Sequence, residues 1–171
     1  MGGSLGSGTL NKSMKKWISD GCPGGGDIDI IWQCGKYYKE GIDEFMTMTH
    51  PSNIYHYDFI SRMDLAYAAA DVVISRSGAS SVSELCAMGK PVVFVPSPNV
   101  AEDHQTHNAM ALVRKDAAMI VKDADAVQQL LPAAIGLLHD DAKRETLGRN
   151  ALSMALRDAA QTICDEVYRI L

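Results

Sequence analysis

Five short runs rich in β-branched residues alternate with segments of helical composition, and this rhythm limits the folds open to the chain more than any other feature. The runs are Ile28 to Gln33, Ile54 to Asp58, Val72 to Ser75, Val92 to Val95 and Met119 to Val121. Several are apolar on both faces, as strands must be when helices cover a parallel sheet from either side. Helices are predicted over Thr9 to Ile18, Tyr37 to Met46, Met63 to Ala69, Ser81 to Met88 and Gln105 to Lys115. Three more follow at Ala126 to Leu138, Ala142 to Ala155 and Ala159 to Leu171. Strand and helix in alternation predict right-handed crossovers and an α/β fold, an open doubly wound parallel sheet. The breaks fall at Gly21-Cys22-Pro23-Gly24-Gly25-Gly26, His50-Pro51-Ser52-Asn53 and Pro96-Ser97-Pro98-Asn99, where glycine and proline end regular structure.

The length of 171 residues suits one domain and not two. With 16 Lys and Arg against 21 Asp and Glu, the net charge of −5 has the wrong sign for neutralising many phosphates, so nucleic acid is not an expected partner. No apolar run approaches the roughly 18 to 20 residues that span a bilayer, and the start of the chain lacks the layout of a signal peptide. The chain therefore reads as cytosolic. Cys22, Cys34, Cys86 and Cys164 form no C-x-x-C pair, and reduced thiols are expected. His104 and His107 have no acidic partners at matching helical spacing, so no metal site is expected; no cofactor is expected either.

In an open α/β sheet, ligands bind beyond the carboxyl ends of the strands, where helix N-termini present unpaired N–H groups. Three segments have that form. The first, Gly2-Gly3-Ser4-Leu5-Gly6, leads directly into a helix, and such a turn should follow a strand; residues upstream of it are expected. Its glycines permit close backbone approach and Ser4 is a donor, but the pattern is neither G-x-G-x-x-G nor a P-loop. The second runs from Ser75 through Arg76, Ser77, Gly78, Ala79, Ser80 and Ser81 to Glu84. Its small residues leave room for an anion and Arg76 adds charge, while Ser81-x-x-Glu84 also reads as a capping box. Capping and ligand binding both stay open on the local sequence. The third, Ala101 to Asn108, places His104 and Asn108 on one helical face beside Gln105. Amide side chains there match sugar hydroxyls, though Asp103 or Thr106 also reads as a simple helix cap.

With these segments goes a series of short motifs. They are Gly-Gly-Ser-Leu-Gly at 2 to 6, Ile31-Trp32-Gln33-Cys34-Gly35-Lys36, Phe59-Ile60, and Ala70-Asp71-Val72-Val73-Ile74-Ser75-Arg76-Ser77-Gly78-Ala79. Ser83-Glu84, Gly89-Lys90-Pro91, Phe94-Val95-Pro96 and Asp103-His104-Gln105-Thr106-His107-Asn108-Ala109 complete it. In this order and spacing they resemble the C-terminal donor-binding domain of the MurG-type transferases, glycosyltransferase family 28, over essentially the whole chain. A more distant resemblance is to the small subunit of the eukaryotic two-chain transferase that acts on dolichol-linked sugar.

The first resemblance implies a Rossmann-like doubly wound sheet, the C-terminal half of a GT-B glycosyltransferase, with residues 1-171 as its UDP-sugar-binding domain and an N-terminal acceptor domain outside this sequence. It implies inverting transfer of N-acetylglucosamine from UDP-N-acetylglucosamine to lipid I, giving lipid II for peptidoglycan on the cytoplasmic face of the bacterial inner membrane. By the same resemblance Phe59 would lie against the uracil, the backbone of Ile60 would bond its edge, and Glu84 would accept from the ribose hydroxyls. Gly78, Ala79, Ser80 and Ser81, with Ser4, would face the diphosphate, and Arg76 would stabilise its charge. His104, Gln105 and Asn108 would hold the sugar, although many family members carry Gln where His104 stands. Lipid I, the membrane and the general base would all belong mainly to the acceptor domain, so no catalytic residue is assigned in this chain. Two other readings are set beside it: a nucleotide-sugar-binding subunit working with a separate partner chain, and, more weakly, a nucleotide-sugar 2-epimerase of the same superfamily.

Overall fold

The computed structural model describes residues 2, 3 and 5–171. Five parallel strands and eight α-helices follow one another in the order the sequence predicts. Helix α1 (Gly8–Ser19) precedes β1 (Ile30–Gln33), and then come α2 (Lys39–Thr49), β2 (Ile54–Tyr57), α3 (Met63–Ala69) and β3 (Val73–Ser75). After them come α4 (Ala79–Met88), β4 (Val92–Phe94), α5 (His104–Val113), β5 (Met119–Ile120), α6 (Ala126–Leu138), α7 (Asp141–Ser153) and α8 (Ala159–Ile170). The first strand is shorter than its apolar run. Ile28 is drawn into the glycine turn by its N–H bond to the Gly25 carbonyl, and pairing with β2 starts only at Ile30.

Strand β4 shows why the core forms. Val92, Val93 and Phe94 are all 0% exposed. Their side chains alternate between two apolar clusters, Val93 and Val95 joining residues of α1, α2 and α6, Val92 and Phe94 joining residues of α3, α4 and α5. A strand whose alternate side chains enter different clusters lies between two helical layers, and this is the doubly wound architecture read from the unbroken apolar run.

The ladder is divided into a pair, β1–β2, and a triplet, β3–β4–β5, every pairing parallel. A groove of about 710 Å³ is lined by residues of β1 and β3, together with Gly2, Leu10, Met14, Leu131, Ala66 and Tyr67. Ile30 and Cys34 turn their N–H groups toward β2, so by the strand period Ile31 and Gln33 turn theirs to the groove. The β1–β2 pair also has a wet face: Tyr55 is 51% and Tyr57 46% exposed. Burial on both faces, expected for several of the runs, is seen in β4 and not in β2.

Candidate functional site

The glycine segment is built by backbone contact that side chains would prevent. Gly6 (φ 86°) and Gly35 (φ 89°) lie against each other, and a Cβ on either would overlap the backbone of residues 34 or 6. Gly6 N–H closes a turn onto the Gly3 carbonyl at 3.1 Å. Ser7 then caps α1 from an extended conformation, its Oγ accepting from Leu10 N–H at 3.4 Å. Asn11 fastens the new helix to β1: its Nδ2 donates to the Cys34 carbonyl at 2.9 Å, and its Oδ1 accepts from Trp32 Nε1 at 3.0 Å. Ser4, expected to face the diphosphate, lies outside the described residues.

Arg76 leaves the end of β3 and turns inward. Nε and Nη2 donate to Ser7 Oγ at 3.1 and 2.8 Å. Nη1 meets the Val95 and Pro96 carbonyls at 2.9 and 3.0 Å and Asp123 Oδ1 at 2.5 Å. Asp123, at the start of a 3-10 turn after β5, also accepts from Thr9 Oγ1 at 3.0 Å. One guanidinium thus knits the carboxyl ends of β3, β4 and β5 to the start of α1. Gly3, through its carbonyl, takes Gln33 Nε2 at 3.1 Å, so the same glycine segment touches β1 and β3 together.

Helix α4 begins at Ala79, two residues before the expected Ser81, with Gly78 as an N-cap that offers no side chain. The capping-box reading is therefore corrected. Ser81 sits inside the first turn, and Glu84 does not reach back to the backbone but accepts from Tyr67 OH at 3.1 Å. Burial pushes the Tyr67 phenol up from its ordinary value, and the neighbouring Glu84 charge adds to the effect. The first intrahelical bond runs from Val82 N–H to the Gly78 carbonyl at 3.0 Å, so the N–H groups of Ala79, Ser80 and Ser81 precede the ladder. Ala79, Ser80 and Glu84 are exposed, and Gly78 and Ser81 half-buried.

At the start of α5 the backbone is strained, with Glu102 and Asp103 both at φ 51°. No side chain caps this helix; Asp103 instead accepts from Thr106 Oγ1 at 2.6 Å. His104 is exposed, its Nδ1 2.7 Å from the Ala101 carbonyl. Gln105 and Asn108 are half-buried and joined to the loop before α4. Ser77 Oγ donates to the Gln105 carbonyl at 2.8 Å, Asn108 Nδ2 to the Ser77 carbonyl at 3.0 Å, and Ser97 N–H to Gln105 Oε1 at 2.9 Å. One end of each amide is committed to the frame, and among the described residues Gln105 Nε2 and Asn108 Oδ1 are the ends left over.

Phe59 and Ile60 follow β2. Phe59 is half-exposed, its N–H held by Asp58 Oδ1 at 2.8 Å. The Ile60 N–H donates to Gln33 Oε1 at 3.1 Å. Hydrogen bonds thus join Ser77, Gln105 and Asn108 in one group and Gly3, Gln33 and Ile60 in another, while Glu84 is tied to Tyr67. Sequence reasoning missed Ser7, Gln33, Tyr67 and Asp123. Only Ser7 left a local signal, as a cap residue three positions before the first apolar residue of α1.

The profile of the glycosyltransferase family 28 C-terminal domain matches residues 1–163. The chain belongs to this family. Among its relatives is an enzyme of Parabacteroides distasonis, 49% identical over 175 residues, and another of Flavobacterium psychrophilum, 45% identical over 174. Both are named UDP-N-acetylglucosamine--N-acetylmuramyl-(pentapeptide) pyrophosphoryl-undecaprenol N-acetylglucosamine transferase. All of this chain is matched but only 46% and 45% of theirs, so the family 28 domain spans about half the length of these curated relatives. Among solved structures, Acinetobacter baumannii MurG superposes with a TM-score of 0.83 at 29% identity, over 99% of this chain and 48% of that one. The glycotransferase of kitacinnamycin, at 21% identity and a TM-score of 0.68, shares the fold. Among the described residues, no helix is long and apolar enough to cross a membrane, and no group of three His, Cys, Asp or Glu could hold a metal ion.

Proposed function

We propose that residues 1-171 are the donor half of an inverting glycosyltransferase, binding UDP-N-acetylglucosamine for transfer of N-acetylglucosamine to lipid I, with lipid II and UDP as products. The observation that carries the reading is the start of α4. Three N–H groups precede the helical ladder there, Glu84 stands exposed about one turn further on, and the loop is bonded to Gln105 and Asn108. A helix N-terminus suits a diphosphate, and it gains in value as UDP leaves and negative charge grows on the β-phosphate. Glu84, an acceptor already oriented by Tyr67, suits paired ribose hydroxyls. Gln105 Nε2 and Asn108 Oδ1 offer a donor and an acceptor to the sugar, with exposed His104 beside them. Phe59 offers a ring face to the uracil and Ile60 a carbonyl to its edge.

In this reading no cofactor takes part. An acceptor hydroxyl attacks the anomeric carbon, and the base that takes its proton, the lipid site and most membrane contact belong to a separate acceptor domain at the cytoplasmic face of the membrane. The names of the relatives, matched along the whole of this chain, favour this over a subunit of a two-chain enzyme.

The test is calorimetric titration of the chain with UDP, UDP-N-acetylglucosamine and uridine. Saturable binding is expected, and Glu84→Ala should weaken all three ligands about tenfold or more, since a lost charge-assisted hydrogen bond is worth roughly 1.5 to 3 kcal/mol. Folded protein that takes up no UDP would overturn the claim that this domain holds the donor.

A further inference from the structure

Arg76 is the one basic residue in the loop proposed to face the diphosphate, yet its charge is already answered. Its side chain is 14% exposed and that of Asp123 22%, with 2.5 Å between Nη1 and Oδ1. Four of its contacts fix other parts of the frame: two to Ser7 Oγ, and one each to the Val95 and Pro96 carbonyls. Asp123 reaches the first turn of α1 a second time, through Thr9 Oγ1. The start of α1 is therefore gripped from both sides by one ion pair. Ser7 Oγ receives Arg76 and Leu10 N–H, and Thr9 donates to the carboxylate that holds Arg76.

We infer that Asp123, acting through Arg76, is a positioning residue: the pair sets the glycine segment, and with it the first turn of α1, against the start of α4. The inference rests on the donor-binding reading for what these two loops hold between them. Arg76 then serves by geometry, as a planar fork whose N–H groups reach Ser7, two strand-end carbonyls and Asp123 together, and not as a free counter-charge for phosphate. A lysine keeps the charge but cannot span those partners. Removing the carboxylate leaves the guanidinium partly buried without its counter-ion, free to swing out of the strand ends and release Ser7.

Two readouts on the same chain test this, with Asp123→Asn and Arg76→Lys as variants. The first needs no ligand: amide hydrogen exchange at Gly6 and Asn11, whose N–H groups bond the Gly3 and Ser7 carbonyls. Exchange there should quicken about tenfold or more in Asp123→Asn and Arg76→Lys, while the α7 amides of Leu147 and Ala151 stay as they were. The second is the split between ligands: UDP should weaken by about tenfold, the loss of one charge-assisted contact, and uridine by less than about twofold. Unchanged exchange at Gly6 and Asn11 in folded Asp123→Asn overturns the inference, as does equal weakening of UDP and uridine. Loosened amides in a chain whose wild type binds no UDP keep the positioning role and overturn the donor-binding reading instead. Should Asp123→Asn not fold, Arg76→Lys, which keeps the charge and the Ser7 cap, reads the same two quantities in the same directions.

Discussion

The two groups of strands are made from similar residues and end in different states. In the triplet, β4 has Val92, Val93 and Phe94 sealed between helical layers, and Tyr67 of α3, Leu85 of α4 and Leu112 of α5 close over one side. In the pair, β2 alternates buried Ile54 with exposed Tyr55 and Tyr57, and β1 borders the groove. The lesson is that an apolar run specifies strand formation, while what lies over each face decides how much that strand contributes to stability. The glycine segment spans the difference, bonded to Gln33 on one side and, through Ser7, to Arg76 on the other.

The largest expected effect tests that contrast directly. Phe94→Ala empties a fully enclosed site and should cost about 3–5 kcal/mol in urea unfolding, whereas Tyr55→Ser in the open pair should stay within about 0.5 kcal/mol. Comparable losses at both positions would abolish the distinction. Next in size is the seam between the two regions. Gly35→Ala forces a side chain into left-handed backbone against residue 6, and a destabilisation of about 1–3 kcal/mol is expected on the same measurement. Gly3→Ala, at φ 75° with nothing near its Cβ position, should cost less and so sharpen the assignment of the seam to Gly35.

The smallest effect is a pH dependence confined to the sealed region. Burial, reinforced by Glu84, holds the Tyr67 phenol protonated beyond its ordinary value of 10.0, so the unfolded chain gives up this proton first. The stabilisation is complete below about pH 10 and is lost as pH rises further toward the folded value. Urea midpoints of the wild type should therefore fall more steeply above pH 10 than those of Tyr67→Phe, and identical slopes would remove Tyr67 as the cause.

Strands and helices were legible because their signals are local: Val92 to Val95 between Pro91 and Pro96, or the glycine run that ends α1. The start of α4 was less so. Ser81-x-x-Glu84 has the composition of a capping box, but Ala79 and Ser80 are equally fit for a first turn, and Gly78 caps through backbone alone. The division of the sheet was legible only in part: the glycine turn at residues 2 to 6 calls for a strand before it, while the period of a strand states which face is apolar and says nothing of its neighbour. Among the candidate site residues, Glu84 lies in α4 and Gln105 and Asn108 in α5, the helices that the sequence predicts for them. Asp123 was invisible for a physical reason: its value lies in an ion pair with Arg76 across 47 positions, and neither residue is unusual in its own neighbourhood.

Helix α8 has twelve residues and none is buried, with Ile163, Val167 and Ile170 along it open to solvent. An isolated helix of about that length is marginal in water, because nucleation is costly and nothing packed repays it. Its coil state is therefore nearly as accessible as its helical one, and heating should remove its signal before the core melts, as a gradual slope in circular dichroism ahead of the cooperative step. The same slope makes α8 a built-in gauge: whatever covers Ile163 and Val167 merges its melting with that of the core.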